Sequence, residues 1–233
     1  MDFSKSCEEV RGLRLPPAGR PVHYVICGSC GFAHAPEFAR WTPADFARDI
    51  YNDGYAAVDP DHAELRPRIN AESLLATFGE RGRALRHLDY GGGAGLLSEL
   101  LGRAGWRSVC LDPFFSGDKA SADTGPFQLI TCYEVFEHVA DVRQLAASLA
   151  ALLAADGLVL FSTQVSDGQL HPGQSPDWWY AAPRNGHISL HSSRSLALLG
   201  QQQGFSFASF SEGLHVYWRG EFPAWARHLL QGS

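Results

Sequence analysis

A glycine-rich turn at residues 88–95 constrains the fold more than any other feature of the sequence. Apolar residues at 84–90 predict a short strand, and the leucines at 96–104 recur at the spacing of a helix face. The four glycines between these runs permit a sharp turn and the close approach of a ligand that a Cβ would block. A strand, a glycine turn and a helix in this order predict an α/β fold with a ligand site at the turn.

The alternation of strands and helices continues along the chain. Strands are predicted at residues 107–111, 127–132 and 158–163, a helix is predicted between Asp141 and Gly157, and another at residues 192–203. The last two strands, 205–207 and 214–218, are joined by too few residues for a parallel crossover. The pattern therefore predicts a doubly wound sheet of six or seven strands, mostly parallel with an antiparallel last strand and with helices on both faces.

Two carboxylates beside the turn indicate the ligand. Counted from Gly91, the glycines fall at positions one, three and five, whereas a dinucleotide fingerprint needs them at one, three and six. Asp89 suits an ammonium group better than a pyrophosphate, and Asp112 ends the next strand, where it can accept hydrogen bonds from ribose hydroxyls. The alternative is a turn that serves packing alone, with Asp112 solvated. The predicted cofactor contacts are Asp89, Tyr90, Gly91, Gly92, Gly93, Gly95, Asp112 and Pro113.

Residues 85–218 resemble the class I S-adenosylmethionine-dependent methyltransferases. Residues 88–95 match the first motif, Asp112 the ribose-binding acid, residues 127–138 the fourth-strand region and residues 157–163 the next strand. The resemblance implies a Rossmann-like sheet and S-adenosylmethionine as cofactor, and it is strongest for a small-molecule subgroup with an N-terminal cysteine knuckle. The stretch after Asp112 is shorter than in most members, which leaves Asp118 and Asp123 as unaligned candidates for the acid that contacts adenine.

Three segments are expected along the chain. Residues 1–40 form an extension rich in proline and glycine, residues 41–82 form a helical cover with a helix start at Thr42 and a second helix at 68–79, and residues 83–233 form the cofactor-binding domain. Tyr51 and Tyr55 in the cover are predicted either to contact the cofactor or to pack the cover onto the core.

The extension carries the one cysteine pair with a metal-binding spacing, Cys27 and Cys30. A structural zinc needs four ligands, and the chain has no second pair. One interpretation is a degenerate zinc-ribbon-like knuckle without metal, and the other is a zinc site completed by Cys7 with His23 or His34. We favour the first, so no metal site is predicted and zinc is a secondary alternative.

The candidate catalytic residues follow two predicted strands. The resemblance implies that Glu134 lines the site beside Tyr133, and that a Gly-His element containing His187 faces the methyl acceptor. Because a neutral histidine can accept a proton, His187 is predicted to act as base or to orient the acceptor, with His138 a further candidate and His191 in reserve. The alternative for His187 is bracing of its own loop, the aromatic segment 178–188, which is predicted to be an active-site lid.

Composition limits the partners. The net charge is −6 and no basic run is present, which argues against binding to nucleic acid or to an anionic membrane. The first residues lack the apolar core of a secretory signal, so a cytoplasmic protein is expected. The predicted function is methyl transfer to a small-molecule acceptor such as a sugar or another metabolite. The alternatives are a non-catalytic cofactor-binding partner subunit, and a nicotinamide-dependent oxidoreductase, which the glycine spacing disfavours.

Overall fold

The computed structural model describes residues 1–113 and 125–230. In chain order its strands are β1 (Val25–Ile26), β2 (Ala33–His34), β3 (Arg86–Tyr90), β4 (Arg107–Leu111), β5 (Phe127–Tyr133), β6 (Leu153–Ser162), β7 (Ser189–Leu190), β8 (Ser206–Ser209) and β9 (Leu214–Trp218). Its α-helices are α1 (Pro43–Asp49), α2 (Tyr55–Val58), α3 (Leu65–Phe78), α4 (Glu80–Ala84), α5 (Leu96–Arg103), α6 (Val142–Leu152) and α7 (Ser193–Gln202).

The main sheet has six strands in the order β4-β3-β5-β6-β9-β8. The strands β4, β3, β5 and β6 are parallel, whereas β9 is antiparallel to both β6 and β8. The predicted doubly wound sheet with an antiparallel last strand is confirmed. Within the described ranges this sheet has six strands, the lower of the two predicted numbers.

Each face of the sheet is covered by helices. Along β6 the side chains alternate, so that Val159 and Phe161 pack with α6 and α7, whereas Leu158 and Leu160 pack with α3 and α5. This alternation is the period of a strand that is buried on both faces. Because helices cover both faces, a ligand can reach the sheet only at an edge, and in such folds this is the edge at the carboxyl ends of the parallel strands.

The helix α6 ends earlier than the sequence pattern predicts. Asp141 caps its start as expected, by accepting a hydrogen bond from the Gln144 amide at 2.9 Å. The prediction that Gly157 ends the helix is wrong, because the chain passes directly from Leu152 into β6 without a loop. Gly157 lies within that strand, where a Cβ would approach Leu153 to 2.7 Å. Close packing, rather than a helix stop, explains this glycine.

The N-terminal extension and the helical cover share one apolar cluster, in which Phe3 and Val22 pack against Phe46 and Ile50. The helix α1 begins as predicted, with Thr42 and Asp45 exchanging the two hydrogen bonds of a capping box. The strands β1, β2 and β7 form a small antiparallel sheet, which joins the extension to the segment that follows His187. The short helix α4 was not predicted.

The described helices include none with the length and apolar character needed to cross a lipid bilayer.

Candidate active site

The glycine turn joins β3 to α5 at the carboxyl edge of the sheet, as the sequence predicts. Gly91, Gly93 and Gly95 all have positive φ angles, which only glycine adopts without strain. The Gly91 amide donates a hydrogen bond to the Leu111 carbonyl of β4 at 2.8 Å. A Cβ on Gly91 would lie 2.4 Å from a methyl carbon of Val135, so the turn is held tightly between its neighbouring strands.

Asp89 lies beneath the turn rather than in solvent. Its side chain is buried, and a Cβ on Gly92 would fall 2.0 Å from its Oδ2 atom. The Thr131 hydroxyl donates a hydrogen bond to Oδ1 at 2.9 Å. Burial raises the pKa of Asp89 to about 7, with a further increase from the charge of Asp112, against the lowering effect of the Thr131 bond. The carboxyl group therefore titrates near neutral pH.

A chain of buried polar groups supports Asp89 from below. Because the Thr131 hydroxyl donates a hydrogen bond to Asp89, its oxygen can accept a hydrogen bond from Nε2 of His87, which lies 3.0 Å away. The other ring nitrogen of His87 is 2.7 Å from the Ser108 hydroxyl. Burial lowers the pKa of His87 to about 3, so the ring is neutral and the relay carries no charge of its own. Sequence analysis did not identify His87 or Thr131, because a polar residue inside an apolar strand gives no motif.

Asp112 lies where the sequence predicts, at the end of β4 and against the turn. Its Oδ2 accepts a hydrogen bond from the Gly93 amide at 2.8 Å. Among the described residues, a Cβ built on Gly93 would meet nothing within 4 Å, so these residues leave the turn open on that side. This open, amide-lined surface with a carboxylate beside it fits the sugar and amino-acid portions of S-adenosylmethionine.

The other predicted cofactor residues surround this turn in different ways. The Tyr90 side chain packs into the core, so its backbone is the part that faces the turn. Tyr133 packs with the cluster on the opposite face. Pro113 is the last described residue before the gap at 114–124. Asp118 and Asp123, the candidates for the adenine contact, lie outside the described residues.

Glu134 occupies a strained position directly after β5. It is the one described residue other than glycine with a positive φ angle, 52°, and such strain persists only where surrounding contacts impose it. The Ser162 hydroxyl donates to Glu134 Oε1 at 2.8 Å and accepts from the Glu134 amide at 2.9 Å. The Glu134 carboxylate also lies 3.6 Å from Arg66, which is paired with Asp59.

A cavity of about 470 Å³ opens beside Glu134, between α3 and the sheet. Its wall is mainly apolar, and its polar groups come both from the strand ends and from α3. Such a volume matches the sites that hold small molecules. The residues that line it at the strand ends are Tyr133, Glu134, Ser162, Gln164 and Leu214.

The structure brings His138 and His187 together with Glu137, whose side chain is fully buried. The two imidazole rings lie with centroids 5.0 Å apart, and Nε2 of His138 is 3.9 Å from Oε1 of Glu137. Burial raises the pKa of Glu137 well above its ordinary value, and the charge of Glu134 adds to this increase. Burial lowers the pKa of His138 to about 4 and that of His187 to about 3. Both rings are therefore neutral near pH 7.

Tyrosines surround this cluster. The Tyr180 hydroxyl donates to Glu137 Oε1 at 2.5 Å, and the Tyr51 hydroxyl lies 3.1 Å from Nδ1 of His138. The Tyr51 ring also lies edge-on to the His138 ring, with centroids 6.1 Å apart. The Tyr55 hydroxyl instead bonds the Asn185 carbonyl at 3.2 Å, inside the cover.

The aromatic segment 178–188 packs against the small sheet. Trp178 and Tyr180 are buried against Ala33 and Leu190, whereas Trp179 is exposed. These rings fill the space between the extension and the sheet, and the lid stays a prediction. His191 is also buried, with its Nε2 3.4 Å from the Phe136 carbonyl, so it braces the loop behind the cluster.

The cysteines do not gather into the zinc alternative. Cys7 lies with its sulfur 3.7 Å from Nδ1 of His187 and 3.9 Å from the Trp179 carbonyl. Cys27 and Cys30 lie instead against the start of α7, where Ser192 donates to the Cys30 carbonyl. Across residues 1–113 and 125–230, Glu137, His138 and His187 are the only group of three metal-ligating side chains whose ligand atoms converge.

Comparison with known proteins agrees with this architecture. A family model described as a methyltransferase domain matches residues 62–209. A ubiquinone biosynthesis O-methyltransferase of Aromatoleum aromaticum is 32% identical over 127 residues, covering 43% of this chain and 54% of that protein. The chain spans about half the length of the curated relatives it matches.

Two solved structures show the same fold. The 1,6-didemethyltoxoflavin-N1-methyltransferase of Burkholderia thailandensis, bound to 1,6-didemethyltoxoflavin and S-adenosylhomocysteine, aligns with a TM-score of 0.51 and 19% identity over 84% of this chain and 96% of that chain. Human N-acetylserotonin methyltransferase, in complex with S-adenosylmethionine, aligns with a TM-score of 0.51 and 13% identity over 80% of this chain and 64% of that chain. The Rossmann-like architecture is thereby confirmed.

Proposed function

The chain belongs to the methyltransferase-domain family, and on this premise we propose that it is an S-adenosylmethionine-dependent methyltransferase with a small-molecule acceptor. One observation carries the proposal: the described residues leave the turn open at Gly93, with the Asp112 carboxylate at its side. The name of the curated relatives, ubiquinone biosynthesis O-methyltransferase, supports oxygen as the acceptor atom.

The cofactor-binding residues follow from the chemistry of the ligand. When bound, S-adenosylmethionine supplies an electrophilic methyl group on a sulfonium sulfur, so the protein has to hold and orient rather than to activate it. Asp112 accepts hydrogen bonds from the ribose hydroxyls, and the amides of the turn face the amino-acid portion. Asp89, beneath the turn, supplies a negative charge that balances the ammonium group. Tyr51 closes the cleft from the side of the cover.

The acceptor binds between Glu134 and the histidine cluster. The cavity beside Glu134 has room for the body of a small molecule and offers it an apolar wall. Arg66 and Glu134 form an ion pair in the wall of this cavity. The pair offers a polar group of the methyl acceptor one hydrogen-bond donor and one hydrogen-bond acceptor. The hydrogen bond from the Ser162 hydroxyl already holds the Glu134 carboxylate in place, which reduces the entropy that is lost on binding.

The reactive hydroxyl loses its proton at the cluster. The His187 ring is neutral and its Nδ1 is 2.8 Å from the Tyr180 carbonyl, so Nε2 is the nitrogen that can accept a proton. His138 presents its ring beside it. In this proposal His187 orients the acceptor and takes its proton, with His138 and Glu134 as further members of the catalytic group.

A methyl-transfer assay tests the proposal. Purified protein is incubated with methyl-tritiated S-adenosylmethionine and a panel of phenols, catechols and sugars, and the label is followed into each acceptor. We expect transfer to at least one class of hydroxyl acceptor, and loss of transfer in Asp112→Ala. Binding of S-adenosylhomocysteine without transfer to any acceptor would instead support a non-catalytic partner subunit.

A further inference from the structure

Three lone-pair donors converge at Glu137, His138 and His187. One ligand atom from each side chain lies within 4.8 Å of the other two. The Glu137 side chain is fully buried. Among the described residues its Oε2 makes no hydrogen bond of ordinary geometry, although the Thr163 side chain lies beside the carboxyl group. A buried carboxylate oxygen without a partner is costly, so it needs a proton or a cation beside it.

The hydrogen bonds behind the rings fix which nitrogens face inward. Nδ1 of His187 is 2.8 Å from the Tyr180 carbonyl, and Nδ1 of His138 is 3.2 Å from the Gly186 carbonyl. The Tyr51 hydroxyl, 3.1 Å from the same Nδ1 of His138, can accept from it as well. Because a carbonyl oxygen only accepts, each Nδ1 carries the hydrogen, and in a neutral ring each Nε2 is then left with a lone pair. The Tyr180 hydroxyl fixes the third ligand, the Glu137 carboxylate, by donating a hydrogen bond to its Oε1.

This is the arrangement that supports metal ligands in proteins, where each ligating histidine donates its other N–H to a carbonyl or carboxylate. We infer that Glu137, His138 and His187 form a binding site for one divalent transition-metal ion. Two imidazole nitrogens and one carboxylate favour Zn²⁺, Fe²⁺, Mn²⁺ or Co²⁺ over Mg²⁺ and Ca²⁺, which prefer oxygen ligands. Metal–ligand distances of about 2.0–2.2 Å require the three groups to draw together by small side-chain rotations.

The inference rests on the proposed function for its role, and it specifies how the acceptor is held. Three protein ligands leave coordination positions for a substrate oxygen, and a hydroxyl on a divalent ion loses its proton more readily. The oxygen of the acceptor hydroxyl would then bind the ion, and its proton would pass to the Glu134 carboxylate, whose charge acts on Glu137. His187 would serve as a ligand in place of its role as the direct base. Acceptors with two adjacent hydroxyls, which can chelate, fit such a site best.

Cobalt binding tests the site without reference to activity. Tag-free protein is treated with a chelator, desalted and titrated with CoCl₂ alone while the visible absorption of Co²⁺ is recorded. We expect one equivalent to bind, and X-ray absorption of the wild-type complex to show nitrogen and oxygen ligands with imidazole rings and no sulfur. This measurement needs no variant, so it holds even where a cluster substitution impairs folding.

Variants localise the ion. We expect Glu137→Gln and His187→Ala to weaken Co²⁺ binding at least a hundredfold, and Tyr180→Phe to weaken it about tenfold through the lost support. His23→Ala, an exposed histidine outside the cluster, serves as the matched control and should bind Co²⁺ as the wild type does. Titration with S-adenosylhomocysteine shows that each variant is folded, and it tests the proposed function separately.

Two results would overturn the inference. Absence of Co²⁺ binding at millimolar concentration would mean that a proton alone satisfies Glu137. Sulfur ligation that disappears in Cys27→Ser would place the ion at the Cys27–Cys30 pair instead.

Discussion

Binding of S-adenosylhomocysteine should depend on pH through Asp89. In the free protein burial raises the pKa of this carboxyl to about 7, whereas the Thr131 hydroxyl opposes the shift. An ammonium group placed beside Asp89 favours the ionised carboxylate and lowers its pKa in the complex. The ligand therefore selects the ionised form, so affinity should increase as the pH rises towards 7 and level off above it.

The size of the effect follows from the titration of one group. With a pKa of about 7, Asp89 is ionised in roughly a tenth of molecules at pH 6 and in roughly nine tenths at pH 8. Affinity should therefore be about tenfold weaker at pH 6 than at pH 8. Binding at pH 6 should release about 0.9 proton from this group, and binding at pH 8 about 0.1.

Isothermal titration calorimetry measures both quantities. The titration is repeated at pH 6, 7 and 8 in pairs of buffers with different ionisation enthalpies, and the number of protons released is obtained from the difference in heat. The control is Asp89→Asn, which keeps the shape of the side chain but cannot ionise, and its weaker binding should vary little over this range. A wild-type affinity that changes less than twofold, or an equal pH dependence in Asp89→Asn, would refute the reasoning.

Three further predictions concern single residues. Asp112→Ala should weaken S-adenosylhomocysteine binding about ten- to a hundredfold in calorimetry, because charge-assisted hydrogen bonds contribute about 1.5–3 kcal/mol; an unchanged Kd would contradict the assigned ribose contact. Gly92→Ala should weaken the same binding more than tenfold, since its Cβ would fall 2.0 Å from Asp89 Oδ2. The control Gly102→Ala, in an open position on α5, should leave the Kd unchanged and raise the free energy of unfolding by about 0.5–1 kcal/mol. His187→Ala should keep cofactor affinity within a few fold while turnover falls sharply, and full turnover in an acceptor assay would exclude it from the catalytic group.

The turn and its two acids could be predicted from the sequence because each depends on local chemistry. Glycines with positive φ are required wherever the backbone turns at a ligand, and an acid at a strand end marks the edge of a parallel sheet. Both Asp89 and Asp112 therefore lie where the spacing places them. The antiparallel orientation of the last strand followed from the short connection that precedes it.

The histidine cluster could be predicted only in part, because its members meet through tertiary packing. His187 was identified by resemblance and His138 by position, but nothing local indicates that Tyr180 would reach Glu137 across the chain. Cys7 likewise reaches His187 only because the extension folds back over the sheet. The end of α6 was misplaced for a related reason: burial of Leu153 in the sheet, rather than a local stop signal, ends the helix.

A crystal structure of the protein with S-adenosylhomocysteine would show directly whether the turn binds the cofactor. We expect density for the ligand across the open side of the turn at Gly93, with both ribose hydroxyls within hydrogen-bonding distance of Asp112. A turn that stays empty at millimolar ligand, or a ligand bound with its ribose away from Asp112, would contradict this expectation.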